Sequence, residues 1–215
     1  MSTQVSDISR LRTQTGAGML DCKKALDEAN GHFEKAVEIL RKKGIAKAAK
    51  RAGKIAAEGK VASYIHAGGK IGVLVEVNSE TDFVARNEQF SALVQDIAMH
   101  IAASSPKYLS REEVSAEEIE KEKDVYREQL KNEGKPAEML EKILEGKLAK
   151  WYQEICLLEQ KFVKDEDKTI EQLLQEKTVE IGEKISIRRF VRYELGEGIE
   201  KQACDFVSEV AEQLK

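Results

Sequence analysis

Long apolar runs, prolines and aromatic side chains are scarce in this chain of 215 residues. It has two prolines and 6% aromatic residues, a composition typical of a largely helical protein. No run of 18 apolar residues occurs, so we expect no transmembrane helix and no membrane partner. The first ten residues, MSTQVSDISR, lack the apolar core of a signal peptide. We therefore expect a cytoplasmic protein, or an organelle protein after processing.

Residues of the kinds that form metal or redox sites are also few. The three cysteines, Cys22, Cys156 and Cys204, are far apart and form no Cys-x-x-Cys pair. The three histidines lie in unrelated segments, without a second His or Cys three or four residues away. We expect no metal and no cofactor. Because free cysteine behaves as a small hydrophobic residue, buried and reduced thiols are expected.

The glycine-rich segments do not have the spacing of phosphate-binding loops. AGGKIG lies between two predicted strands, whereas a phosphate-binding loop opens a helix. GEGIEK follows a strand but lacks the third glycine of a dinucleotide-binding motif. Carboxylates are plentiful, but they fall on the solvated faces of predicted helices. We therefore expect no catalytic residues and no enzyme activity.

The charge balance is slightly acidic, with 35 lysines and arginines against 39 aspartates and glutamates. The net charge of -4 argues against a dedicated nucleic-acid-binding protein. Residues 43–59 are rich in lysine, alanine and glycine, and they are predicted to form a partly helical linker. Basic side chains could neutralise RNA phosphates here, but the segment has no aromatic residue for base stacking. A solvated linker is preferred, and no nucleic acid is expected as a partner.

Residues 1–42 are predicted to form a compact module of three helices. Ile8 and Leu11 lie in the first helix, which ends at the segment TGAG. A second helix is predicted over residues 19–29 and is stopped by Asn30 and Gly31. The third helix carries apolar residues at helical spacing, namely Phe33, Ala36, Val37 and Leu40. This bundle is small and has few apolar residues, so we expect it to need either a neighbouring part of the chain or a partner.

Residues 60–215 are predicted to form an α+β core with about three antiparallel strands. Two strands, 61–67 and 70–78, are joined by Gly68-Gly69 as a β-hairpin. A helix with one apolar stripe follows them. The third strand is predicted over 184–195, with alternate residues on one face: Ile185, Ile187, Val191, Tyr193 and Leu195.

Two further helical features are predicted in this core. Residues 111–150 are highly charged, with two narrow apolar seams interrupted at Gly134-Lys135-Pro136. They predict an antiparallel helical hairpin inserted between the second and third strands. A short amphipathic helix is predicted at the C-terminus of the chain. The fold class is therefore α+β, with an N-terminal helical module, a linker and a core that carries a helical hairpin.

The segment EVNSETDFVAR, residues 76–86, joins a strand to a helix and contains an apolar pair. Its residues 79–82 fit the capping-box pattern and predict a helix with Ser79 as its N-cap. Phe83 would then be the fourth helical residue, and its usual partner before the cap is here the polar Asn78. Without that partner, Phe83 either turns into the core or points outward, and the two alternatives are equally favoured.

Two long segments resemble signature sequences of the elongation factor Ts family, the nucleotide exchange factors of the translational GTPase EF-Tu. LRTQTGAGMLDCKKAL, residues 11–26, is similar to the first signature, and EVNSETDFVAR is similar to the second. MHIAAS, residues 99–104, and GEGIEK, residues 196–201, are similar to further family segments. The resemblance covers essentially the whole chain.

The resemblance implies how the chain would bind EF-Tu and release GDP. A UBA-like three-helix module would dock on the GTPase domain through Arg12, Met19, Leu20 and Lys23. A tip would insert near the Mg²⁺ site of EF-Tu, and it would consist of Thr81, Asp82, Phe83 and Val84. Phe83 would act as a wedge between helices, and Asp82 would help to reposition one of them. The core and the C-terminal helix would add further contacts with EF-Tu.

The resemblance is to a short form of the family. Longer members carry two related subdomains in the core, but here TDFV leads almost directly into MHIAAS. A short form could recover the missing surface as a homodimer through its C-terminal region, with Cys204 as a candidate contact. Two other functions stay open: a general interaction module without the Mg²⁺ wedge, and an RNA-associated protein that uses residues 42–54.

Overall fold

The computed structural model describes residues 5–51, 53–133 and 137–199. Their secondary structure is mixed, with helices around a three-stranded antiparallel sheet. The predicted α+β class is therefore confirmed. The predicted C-terminal helix, which includes Cys204, lies outside the described residues.

The N-terminal part consists of helices α1 (Val5–Thr15), α2 (Met19–Glu28) and α3 (Phe33–Arg51). Helix α2 ends where Asn30 and Gly31 both adopt a positive φ, as predicted from the sequence. The three helices share one apolar cluster, which is formed by Ile8, Leu11, Cys22, Ala25, Leu26, Ala29, Ala36 and Leu40.

Helix α3 runs further than the apolar pattern of its first part indicated. It continues to Arg51, so the first half of the predicted linker is helical. Gly44 does not break the helix. A Cβ atom at this position would lie 3.5 Å from the Val179 side chain, an ordinary contact distance, so α3 packs on a later helix here without requiring a glycine. The division of the chain at residues 42 and 59 stays a prediction.

The sheet is built from β1 (Glu58–Ile65), β2 (Ile71–Ser79) and β5 (Ser186–Glu194), in the order β1-β2-β5. The predicted hairpin turn is confirmed, since Gly68 and Gly69 both have positive φ values. Helix α5 (Glu88–Ser104) covers one face of this sheet. The core between them contains Val73, Val75 and Val77 from β2, and Phe90, Val94, Ile97 and Ile101 from α5.

The predicted single apolar face of β5 is wrong, because a β-bulge interrupts the strand. Val77 pairs with Ile187, whereas Glu76 pairs with Arg189, so Arg188 is an extra residue. Beyond the bulge the alternation is reversed, and Phe190 joins the core while Val191 and its alternate neighbours face outward. One additional residue moves every later side chain to the other face.

The outer face of the sheet is unusually apolar for an exposed surface. At its centre Leu74 pairs with Ser63 on one side and with Val191 on the other. The exposed hydrophobic side chains of this face are Val61, Ile65, Leu74, Val191 and Tyr193, with Leu195 just beyond the strand. We call this surface the outer sheet face.

The predicted helical hairpin is confirmed. Helices α6 (Ala116–Asn132) and α7 (Ala137–Ile155) pack on each other. The base of the hairpin has a core of its own, formed by Val114, Leu144, Leu148, Trp151, Ile155 and Cys156.

A two-stranded sheet after the hairpin was not predicted. Strands β3 (Lys161–Phe162) and β4 (Asp165–Thr169) pair in antiparallel fashion and lead into α8 (Ile170–Ile181). Thr169 caps α8 in a reciprocal capping box with Gln172. Strands this short and polar have no hydrophobic alternation from which they could be recognised.

Candidate functional site: an exposed tip and the N-terminal helices

The predicted tip is the turn that joins β2 to α5. It contains the short helix α4 (Asp82–Ala85), whose N-cap is Thr81 and not Ser79. The Thr81 hydroxyl accepts a hydrogen bond from the Val84 amide at 3.4 Å. Ser79 remains in the sheet, and its hydroxyl donates to the Thr81 carbonyl at 2.9 Å. The helix therefore begins two residues later than predicted, and Phe83 is its second residue.

The two apolar residues of the tip point in opposite directions. Phe83 is 82% exposed, whereas Val84 is 6% exposed and belongs to the main core. Asp82 is exposed at the start of the helix and forms an ion pair with Arg86 at 3.0 Å. Thr81, Asp82 and Phe83 are thus available at the surface, while Val84 fastens the tip to the core.

Two glutamates hold the residues that precede the exposed ring. The Glu183 carboxylate accepts hydrogen bonds from the Thr81 amide at 3.0 Å and from the Thr81 hydroxyl at 2.8 Å. The Glu80 carboxylate accepts from the Lys184 amide at 2.7 Å and from the Arg51 guanidinium at 2.8 Å. These donors, with the Lys184 amide first, lower the pKa of Glu80. Sequence reasoning missed both contacts, because the partners are distant along the chain.

The four predicted residues of the N-terminal module lie on its surface. Arg12 is in the last turn of α1, and Met19, Leu20 and Lys23 are in the first part of α2. All four are exposed, and Leu20 is 65% exposed. Their immediate neighbours Leu11 and Cys22 are fully buried, so the apolar residues Met19 and Leu20 are not needed to complete the core. The structure thus places these four residues on the α1–α2 surface.

A cleft of about 540 Å³ separates the N-terminal helices from α8. Its walls include the turn between α1 and α2, the middle of α3 and one side of α8. Charged side chains at its edge are paired with each other, as in Lys168 with Glu176 and Lys177 with Glu180. Four of the five charged side chains that line the cleft are thus paired with each other, and Arg41 is the fifth.

The two described cysteines are buried, as predicted. Burial raises the pKa of the Cys22 thiol and raises that of Cys156 to about 11, so both stay protonated near neutral pH. Among the residues that the structure describes, no group of three or more His, Cys, Asp or Glu side chains is placed to hold a metal ion. Within the same residues, no helix combines the length and the apolar character needed to cross a membrane.

The sequence of this chain is similar to those of known proteins. The sequence model of the family described as Elongation factor TS matches residues 21–197. The chain is 61% identical over 210 residues to elongation factor Ts of Desulforamulus reducens, covering 98% of this chain and 97% of that protein. It is 61% identical over 211 residues to elongation factor Ts of Geobacter metallireducens, covering 98% of both. The protein of the same name from Acetivibrio thermocellus is 62% identical over 207 residues, covering 96% of both.

Proposed function

The chain belongs to the elongation factor Ts family of translation elongation factors, and from this premise we propose that it is the guanine nucleotide exchange factor of EF-Tu. It binds EF-Tu·GDP and promotes the release of GDP by disturbing the site that holds Mg²⁺ and the phosphates. Under this proposal it acts in the cytoplasm during translation elongation, performs no bond chemistry and needs no cofactor.

The exposure of Phe83 is the observation that carries the proposal. A Phe side chain is usually buried, yet this one is 82% exposed at the end of a short turn. When a partner covers a large aromatic ring that is exposed to water, burial of the ring stabilises the complex. Phe83 is therefore the wedge that enters EF-Tu, and the neighbouring Asp82 repositions a helix of the partner.

The α1–α2 surface supplies the docking contact for the GTPase domain. Met19 and Leu20 offer apolar area, while Arg12 and Lys23 add positive charge beside it. Apolar anchors next to charged groups are typical of the central and outer parts of protein interfaces. This module holds EF-Tu while the tip acts at the nucleotide site.

The free energy for exchange must come from several contacts. An exchange factor binds the nucleotide-free partner more tightly than the GDP-bound form, and GDP binding is then weakened by the same factor. Burying one Phe side chain contributes roughly 1.5–3 kcal/mol, or about one to two powers of ten. The docking surfaces must therefore also favour the nucleotide-free form of EF-Tu.

The described basic side chains support a protein partner over a nucleic acid. Lys43 at the middle of α3 is paired with Glu28, and Arg51 at its end is paired with Glu80. These pairs use part of the positive charge that an RNA backbone would need. No nucleic acid is therefore included among the proposed partners.

A homodimer through the C-terminal region is kept as a proposal, and the outer sheet face supports it. Strand β5 lies in that region, and Val191 and Tyr193 expose apolar area beside Leu74. The positive charge of Arg188 and Arg189 at the edge of this face is partly offset by Glu76, which is paired with both. Two copies of an apolar sheet face can pack as a β-sandwich.

Release of a fluorescent GDP analogue from EF-Tu tests the proposed function. Acceleration by a small amount of this protein supports exchange activity. An unchanged release rate with folded protein contradicts it.

A further inference from the structure

The direction of the Phe83 side chain depends on the residues just before it. Phe83 is largely free of contacts with its own protein, so packing of its ring does not determine where it points. After Phe83 in the chain, the buried Val84 anchors the short helix to the core. Before Phe83, Thr81 must be held in place for the helix to begin in one orientation.

Glu183 provides that second attachment. Its two carboxylate oxygens take separate donors from Thr81, the backbone amide at 3.0 Å and the hydroxyl at 2.8 Å. Two hydrogen bonds to one carboxylate restrict rotation of Thr81 in a way that one bond would not. Because the Thr81 hydroxyl also caps α4, the same carboxylate orients the cap and, through it, the helix that carries Phe83.

Glu183 is itself held in place by the fold. It follows Gly182, where α8 ends, and it precedes the buried Ile185, which lies just before β5. The neighbouring Lys184 amide donates to Glu80 at 2.7 Å. The turn after α8 and the turn after β2 are thus joined twice, once through Glu183 and once through Glu80.

Helix α3 is attached to the same turns. Arg51 donates to the Glu80 carboxylate at 2.8 Å, and the Lys184 ammonium donates to the Lys54 carbonyl at 2.9 Å. Since α3 also belongs to the N-terminal module, these contacts join the predicted docking surface to the turn that carries the tip.

We propose that Glu183 is a positioning residue that holds Thr81, and through it Phe83, in the direction needed to enter the nucleotide site of the partner. This role rests on the proposed exchange function. Glu80 and Arg51 support it by fixing the same turn relative to helix α3. Neither glutamate touches the partner's nucleotide in this proposal, and both act through the tip.

The first test uses the free protein and needs no partner. Amide hydrogen exchange, measured residue by residue by NMR, should show the Thr81 amide protected at least about tenfold in the native protein, since it donates to a carboxylate. Glu183→Ala removes both acceptor oxygens. We expect this variant to lose the Thr81 protection, while Glu171→Ala at the other end of α8 keeps it.

The second test measures release of a fluorescent GDP analogue from EF-Tu over a range of protein concentrations. For Glu183→Ala we expect the maximal rate to fall by about tenfold, because hydrogen bonds to a charged group are lost. The concentration for half-maximal rate should change by less than about twofold, since the α1–α2 docking surface is untouched. Glu171→Ala should match the native protein in both quantities, and thermal unfolding of each variant shows that it is folded.

The outcomes separate the positioning role from the proposed function. An unprotected Thr81 amide in the native protein, or one that Glu183→Ala leaves protected, overturns the proposal. An unchanged maximal rate for Glu183→Ala, alongside active native protein, also overturns it. If the native protein does not accelerate release, the exchange function fails and the positioning role falls with it, while the amide measurement still reports whether the attachment exists.

Discussion

At the residue scale, Phe83 and Val84 show how two adjacent apolar side chains take different roles. One is 82% exposed and the other 6% exposed. The sequence predicted an apolar pair after a helix cap but left the direction of Phe83 open. The direction follows from the start of α4 at Asp82, and that start depends on Ser79 staying in the sheet and on Glu183, 102 residues after Thr81. No pattern in the neighbouring sequence therefore indicates the direction of the Phe83 side chain.

Replacing Phe83 by alanine should separate activity from stability. Because the ring is exposed, Phe83→Ala should change the free energy of unfolding by less than about 0.5 kcal/mol. GDP release from EF-Tu should slow by about ten- to a hundredfold, since burial of one Phe contributes roughly 1.5–3 kcal/mol. Urea unfolding and the release assay on one preparation measure both quantities.

Val84→Ala is the matched control for this substitution. It removes apolar atoms from the core next to the tip and should lower the free energy of unfolding by about 2 kcal/mol. An exchange rate that is the same for Phe83→Ala and the native protein would reject the wedge role.

At the element scale, hydrophobic periodicity was sufficient for the regular parts of the fold. It predicted the strands β1 and β2, helix α5 and the helical hairpin, since each has a clear apolar face. It failed for β5, where the bulge at Arg188 reverses the alternation, and for β3 and β4, which are short and polar. The α1–α2 and tip residues came from the family resemblance, because the chemistry of exposed side chains alone does not name a partner.

A buried histidine joins helix α5 to the segment around β3. The His100 ring is fully buried, and its Nδ1 accepts a hydrogen bond from the Val163 amide at 3.3 Å. Its Nε2 lies 3.1 Å from the amide oxygen of Gln160, whose amide nitrogen donates to two backbone carbonyls. These partners assign the proton to Nε2 and leave the ring neutral. Burial lowers the pKa of His100 below its usual 6.5.

His100 should therefore make the fold less stable in mild acid. The unfolded chain binds a proton near pH 6.5 while the folded protein does not, so stability is lost as the pH falls below that value. Between pH 7.5 and 5.5 the native protein should lose on the order of 1 kcal/mol of unfolding free energy through this group. Urea unfolding at both pH values measures the loss.

His100→Asn provides the comparison, because an amide side chain keeps polar atoms but does not titrate. Its loss of stability between the two pH values should be smaller than that of the native protein. Equal losses for the two proteins would show that His100 is not the group responsible.

At the scale of the whole molecule, the outer sheet face should decide the oligomeric state. If two copies pack through it, light scattering at working concentration should give twice the chain mass of 24.1 kDa. Leu74→Lys places a charge at the centre of the face and should give the monomer mass, because two such charges would meet across a two-fold axis. A monomer mass for the native protein would exclude the homodimer.

The proposed exchange function requires two surfaces on one connected fold. Under the proposed function, the α1–α2 surface would hold EF-Tu and the tip would enter the nucleotide site. Helix α3 connects the two surfaces through the Arg51–Glu80 pair. The protein would then present two contacts to EF-Tu at a fixed separation.

The most direct test of this account is the release rate of a fluorescent GDP analogue from EF-Tu in millimolar Mg²⁺, with the protein present in substoichiometric amounts. We expect each molecule to release GDP from many EF-Tu molecules in turn, so that release is faster across the whole population. Release at the rate of EF-Tu alone, with the protein shown to be folded, would contradict the account.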